Sequence, residues 1–236
     1  MTARILVTGG TGTLGRLIIP RLTEKGHDIR VLTRQSREAT DGVEYVRGDL
    51  LTNEGVGAAV DGVETIVHCA GSRKGDDEAT QNLVRVAARG RRPHLIYISV
   101  VGADRVPVVS RVDRALFGYF AAKRSAEQAV ADSGLPWTTL RATQFHTLAL
   151  MTVQQMVKLP VVPVPTARFQ PVDVSEVADR MVELALNEPA GLVPDIAGPR
   201  VYRLADMIRG YLRAAGQHRA IVPVHGHLND EPRHAT

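Results

Sequence analysis

Cysteine is almost missing from this chain: Cys69 is the only one in 236 residues. No disulfide can close within it, and a reducing cytoplasm is the expected setting. Aromatic residues are scarce as well, at 4%, which counsels restraint about any aromatic-lined pocket. No apolar run approaches the roughly 18 to 20 residues of a membrane span. The short apolar run near the N-terminus reads as a strand rather than a signal peptide. Basic residues form no stripe, since 29 Lys and Arg against 25 Asp and Glu leave a net +4 spread along the chain. Nucleic-acid binding therefore has little support. Internal repeats and low-complexity tracts are also lacking. The expectation is a soluble chain able to bury one sizeable core and act on a small molecule, as a monomer or homodimer.

What the chain does have is concentrated in its first fifteen residues. Ile5–Val7 runs into Thr8-Gly9-Gly10-Thr11-Gly12-Thr13-Leu14-Gly15 and then into an amphipathic stretch. Gly10, Gly12 and Gly15 fit the dinucleotide spacing G-x-G-x-x-G. One glycine allows a tight turn, the next lets backbone approach a pyrophosphate, and Gly15 lets the helix pack closely on the strand. The helix N-terminus then directs unpaired N–H groups at phosphate. Such a motif means little alone, but here a strand precedes it and a helix follows.

Downstream, strands and helices alternate. After the strand Arg4–Thr8 the pattern predicts a helix from about Thr13 to Lys25, with Pro20 inside it. Strands follow at 28–33, 43–46, 64–68, 94–99 and 137–141. Helices are predicted at 54–60, 77–89 and about 114–132. This predicts an α/β fold, a doubly wound parallel sheet of the Rossmann kind, with ligands at the carboxyl ends of the strands. Past Thr143 the pattern loosens. Helices are expected at 146–157, 174–186 and 204–214, a short strand at 221–224, and a proline-rich connector at 159–165 that is neither helix nor central strand. The chain reads as one domain, residues 1–236, with residues from about 144 onward adding a small substrate region.

Cofactor preference is written after the second strand. An NAD site usually carries Asp or Glu there, for the ribose 2′-OH. This chain has Thr33-Arg34, with Arg37 close behind. A guanidinium pairs with a 2′-phosphate that a carboxylate would repel, which favours NADP(H) over NAD(H). Two solvated surface arginines are the ordinary alternative.

In order along the chain, several segments resemble the atypical and extended short-chain dehydrogenases/reductases, in particular their NmrA-like branch. They are Thr8-Gly9-x-x-Gly12-x-x-Gly15, Gly48-Asp49-Leu50, His68-Cys69-Ala70-Gly71, 118–127, 135–146 and 169–178. The resemblance runs from residue 3 to about 215. It implies that the turn residues Thr8 to Gly15 hold the dinucleotide and that Asp49 and Leu50 flank its adenine. Ala70 and Gly71 would line the groove, with Cys69 packed beside it as a small apolar residue.

The chemistry is expected from Ser99, Tyr119 and Lys123. Tyr119 and Lys123 stand at i and i+4 and share a helix face. A nearby ammonium would lower the tyrosine pKa and ready it to donate a proton to a developing alkoxide, while also holding the nicotinamide ribose. Ser99, at the end of the fifth strand, would stabilise the same oxygen. The set is similar to the Ser, Tyr-x-x-x-Lys arrangement of the active members of the superfamily. Its asparagine has no secure match; Asn82 is a weak candidate. Thr143, Gln144, Phe145 and His146 follow the sixth strand and are candidates for substrate contact. Arg73 and Lys74 either meet phosphate or face water. His225 and His227 lack the partners of a metal site, and no metal is expected. The reading is an NADP(H)-dependent oxidoreductase reducing a carbonyl or quinone. A non-catalytic dinucleotide sensor and a cofactor-retaining epimerase remain open.

Overall fold

The computed structural model describes residues 4–40, 42–71, 75–106 and 111–224, with the side chains of 111–117 left out. Arg73, Lys74, His225 and His227 lie outside the described residues. The chain divides into two units, one running to Ala142 and resuming over Val174–Ile196, the other comprising Thr143–Asp173 and the chain from Ala197.

In the first unit seven strands form one parallel sheet: β1 (Arg4–Thr8), β2 (Asp28–Thr33), β3 (Val43–Arg47), β4 (Thr65–His68), β5 (His94–Val100), β6 (Trp137–Ala142) and β9 (Gly191–Leu192). Their order is β3-β2-β1-β4-β5-β6-β9. The chain winds outward one way from β1 and then the other way from β4, so a crevice opens between the carboxyl ends of those two strands. The expected doubly wound sheet is what the chain forms. Near-continuous burial along β1, β2 and β5 explains their unbroken Val, Ile and Leu, because a parallel sheet is covered on both faces.

The helices of this unit are α1 (Gly15–Glu24), α2 (Val56–Val60), α3 (Asp76–Ala87), α4 (Arg111–Ala131) and α6 (Val174–Leu186). α1 keeps Pro20 in its interior. Pro20 lies on the exposed side, where water can reach the Arg16 carbonyl that the ring deprives of its donor. Arg21 ties α1 to α6, its Nε 2.6 Å from Asp179 Oδ1 and its Nη2 2.6 Å from Ser175 Oγ.

The second unit has its own small core of Val153, Val157, Val162, Val164, Leu204, Ile208 and Leu212. Helices α5 (His146–Met156) and α7 (Leu204–Ala214) accompany two short ladders. One is the antiparallel pair β8 (Arg168–Phe169) and β10 (Tyr202–Arg203); the other is the parallel pair β7 (Val161–Pro165) and β11 (Ala220–Val224). The segment expected at 159–165 is neither helix nor central strand, but most of it is an edge strand rather than a bare connector. Its prolines are tolerated because β7 has a single partner, so a missing N–H can fall on the unpaired edge. Among the described residues no helix is long and apolar enough to cross a membrane.

Candidate functional site

The glycine turn joins β1 to α1 at the crevice. Gly9 has φ +69°, and a Cβ there would stand 2.5 Å from the Ala70 nitrogen. The tight turn thus falls at Gly9, not at Gly10, whose Cβ would instead meet the Val31 and Ile19 side chains. A Cβ on Gly15 would lie 2.4 Å from the Gly9 oxygen, so its close packing is against the turn itself. Gly12 and Thr13 are exposed and Leu14 is buried. Among the described residues, the N–H groups of Thr13 and Leu14 find no backbone acceptor. Unsatisfied donors at a helix N-terminus beside an open glycine backbone suit a pyrophosphate. Thr8 differs from its neighbours, since its side chain is buried and spent on His68.

Asp49 and Leu50 follow β3 in a braced loop. Asp49 Oδ1 accepts from the Leu51 N–H at 2.8 Å, and Asn82 Nδ2 donates to the carbonyls of Leu50 and Leu51 at 2.8 and 3.2 Å. Asn82 Oδ1 accepts from Arg85. With its amide used in this way, Asn82 braces the loop rather than joining Ser99 and Tyr119. Arg34 is exposed and has no ion-pair partner among the described residues. The Arg37 guanidinium carbon lies 6.0 Å from the Tyr45 ring centroid.

Lys123 is the centre of the second half of the site. Only 4% exposed, it places Nζ 3.1 Å from Asp76 Oδ2, 3.1 Å from Tyr97 Oη and 3.1 Å from the Ile98 carbonyl. Tyr97 in turn donates to Asp76 Oδ2 at 3.1 Å. The Tyr119 ring centroid lies 6.0 Å from Nζ, and Ser99 follows Ile98 in β5. Helix and strand thus bring Lys123 to the backbone beside Ser99 and set its ammonium 6.0 Å from the Tyr119 ring. The Ser99 hydroxyl is buried with no hydrogen-bond partner among the described residues.

One expectation fails. Tyr119 is pushed up to about 12, first by burial and then by the Asp76 carboxylate. The pairing of Lys123 with Asp76 leaves little net positive field to lower it.

A second buried network adjoins the first. Thr80 donates its hydroxyl proton to the Asp76 carbonyl at 2.7 Å, so its oxygen must accept from His68 Nε2 at 3.0 Å. That fixes the imidazole proton on Nε2, leaving Nδ1 to accept from the Thr8 hydroxyl at 2.6 Å. His68 stacks on Tyr97 and is lowered to about 4, by burial first, with Asp76 opposing and Lys123 assisting. Burial also pushes the Cys69 thiol up to about 12, which keeps it protonated and a poor nucleophile.

Asp76, Tyr97, His68 and Thr80 escaped sequence reasoning. Tyr97 sits in a wholly buried strand and reads as core, and Asp76 reads as an ordinary residue at the start of a helix. His68, within a recognised motif, offered the only signal.

In the second unit, Thr143, Gln144 and Phe145 are half-buried and His146 is exposed at the start of α5. Thr143 Oγ1 and Gln144 Oε1 have no hydrogen-bond partner among the described residues. The Gln144 carbonyl accepts from the Val172 N–H, and the His146 N–H donates to the Val172 carbonyl.

Residues 9–188 match the family of NAD(P)H-binding domains. A (4-alkanoyl-5-oxo-2,5-dihydrofuran-3-yl)methyl phosphate reductase of Streptomyces griseus is 30% identical over 90% of this chain and 74% of its own length. The photosystem II assembly factor Ycf39 of Synechocystis is 24% identical over 94% of this chain and 70% of its own. Among solved structures, the NADPH complex of the Escherichia coli quinone oxidoreductase QOR2 superposes with a TM-score of 0.77 at 19% identity, covering 94% of this chain and 78% of that one.

Proposed function

We propose that this chain, which belongs to the family of NAD(P)H-binding domains, is an NADP(H)-dependent reductase of a carbonyl or quinone on a small organic molecule. One observation carries the reading: Lys123 bonds the carbonyl beside Ser99 and lies 6.0 Å from the Tyr119 ring. In this reading Tyr119 is the proton donor and the unpartnered Ser99 hydroxyl, at the carboxyl end of β5, its companion. The reductase relative and the quinone oxidoreductase fold point the same way.

In this reading the glycine turn holds the pyrophosphate on its free N–H groups, and Asp49 and Leu50 flank the adenine, with Asn82 bracing their loop. Ala70 and Gly71 line the groove. Arg34 takes the 2′-phosphate, so the chain prefers NADP(H). The bound nicotinamide supplies hydride. Ser99 donates a hydrogen bond to the substrate oxygen, and Tyr119 gives it a proton. Thr143 to His146 are assigned to substrate contact, with the buried Thr143 Oγ1 and Gln144 Oε1 still without a hydrogen-bond partner among the described residues. The whole chain then works as one domain with a substrate region from about residue 144, in a cytoplasmic setting.

NADPH consumption against a panel of quinones, ketones and aldehydes tests this. Tyr119→Phe should retain NADPH affinity and lose about two to four orders of magnitude in turnover. Unaltered turnover would remove Tyr119 from the mechanism. Arg34→Ala should lower NADPH affinity by about 1.5–3 kcal/mol and leave NADH affinity unchanged; equal affinities in the unmodified protein would refute the preference. Gly12→Val should abolish dinucleotide binding in a folded protein.

A second reading, dinucleotide binding without turnover, draws on the complete engagement of Lys123 by Asp76, Tyr97 and Ile98 and on the similarity to an assembly factor. Tight NADPH binding with no reduction across the panel would favour it.

A further inference from the structure

A lysine four residues after a tyrosine ordinarily helps the phenol lose its proton. Lys123 is placed otherwise. An ammonium has three N–H donors, and Asp76, Tyr97 and the Ile98 carbonyl each lie 3.1 Å from Nζ. The Asp76 and Lys123 side chains are only 1% and 5% exposed, so water screens their interaction little. Burial keeps His68, Cys69 and Tyr97 neutral, and the Glu127 carboxylate, which also acts on Tyr97, is paired with Arg141. Within this cluster Asp76 is the anion and Lys123 the cation, joined through Tyr97. Gly71, exposed, opens on the pair: a Cβ there would stand 3.4 Å from Asp76 Oδ1 and 3.6 Å from Lys123 Nζ.

We propose that Asp76 is a positioning residue that keeps the Tyr119 hydroxyl a proton donor, by holding Lys123 in a buried ion pair and setting a carboxylate near the phenol, so that the site favours carbonyl reduction over alcohol oxidation. The proposal rests on the assignment of Tyr119 to proton transfer. In reduction, Tyr119 gives its proton to the carbonyl oxygen as the carbonyl carbon receives hydride from the reduced nicotinamide dinucleotide. The products are the alcohol and the oxidised dinucleotide, and water returns a proton to the phenolate. Oxidation runs these steps backwards and needs Tyr119 as phenolate to accept the alcohol proton. Partial burial and the Asp76 charge both make that form scarce at neutral pH.

The test uses fluorotyrosine-labelled protein without dinucleotide or substrate, and follows phenol ionisation by fluorine NMR, with Tyr119→Phe assigning the resonance. Asp76→Asn should lower the Tyr119 midpoint by about one pH unit or more, and Asp76→Glu should hold it high. Should Asp76→Asn fail to fold around an unpaired ammonium, Lys123→Met is compared with Asp76→Asn/Lys123→Met, and the double variant should ionise at the lower pH. A Tyr119 midpoint that ignores the Asp76 charge in whichever comparison folds overturns the proposal. Because the readout needs no turnover, it stands apart from the substrate panel that tests Tyr119 as a proton donor.

Discussion

The two halves of the site in the first unit are built in opposite ways. The glycine turn is made of backbone: Gly9, Gly12 and Gly15 are neighbours in sequence, and their work is to be absent as side chains. The Lys123 cluster is made of side chains from four elements, with Asp76 on α3, Tyr97 on β5, His68 on β4 and Lys123 on α4. A turn of local backbone is set by residue type. A buried charge cluster is set by which elements lie side by side. The first tolerates change at its open face, whereas the second depends on every partner.

Removing one charge should break the cluster most severely. Lys123→Met strands the Asp76 carboxylate in the interior and should cost about 3–5 kcal/mol in denaturant unfolding, most of it recovered in Lys123→Met/Asp76→Asn. Equal losses in single and double variants would mean that the pair is not coupled.

Acid should probe the adjoining network next. His68 is held at about 4 in the folded protein, below its ordinary 6.5. Between these values the unfolded chain takes up a proton that the folded protein refuses. The stabilisation is therefore present above pH 6.5 and drains away as pH falls toward 4. The loss is on the order of 3 kcal/mol, read from urea midpoints across that range. His68→Gln should flatten the dependence over the same window.

The turn should respond position by position. Gly15→Ala forces a methyl to within 2.4 Å of the Gly9 oxygen and should destabilise by about 1–3 kcal/mol. Gly12→Ala meets only the Gly9 oxygen, at 3.2 Å, from an exposed position. It should alter stability by about 0.5 kcal/mol or less. If both glycines prove equally costly, the distinction between a packed and an open position in the turn is wrong.

The same contrast separates what could be read in advance from what could not. The alternation of strands and helices was plain because each period is local, and the helices at 174–186 and 204–214 fall where the apolar spacing puts them. Residues 159–165 read as a connector, because three prolines argue against a central strand and nothing local shows an edge strand with one partner. Asn82 has the chemistry of a site residue, yet its amide braces the loop at Leu50 and Leu51, which lie 32 and 31 residues away in sequence. The Tyr119–Lys123 spacing was visible, but the direction of the Tyr119 shift was not, since it comes from burial and then from a carboxylate on a helix more than forty residues earlier.

By itself, the sequence determined the parallel sheet, the glycine turn and the family, because apolar period, missing side chains and motif order act over short stretches of chain. Tertiary structure alone decided that Lys123 is paired, that His68 carries its proton on Nε2, and that Tyr119 is raised rather than lowered. Those properties depend on burial and on charges brought within about 3 Å by folding, where the loss of water makes each neighbour count.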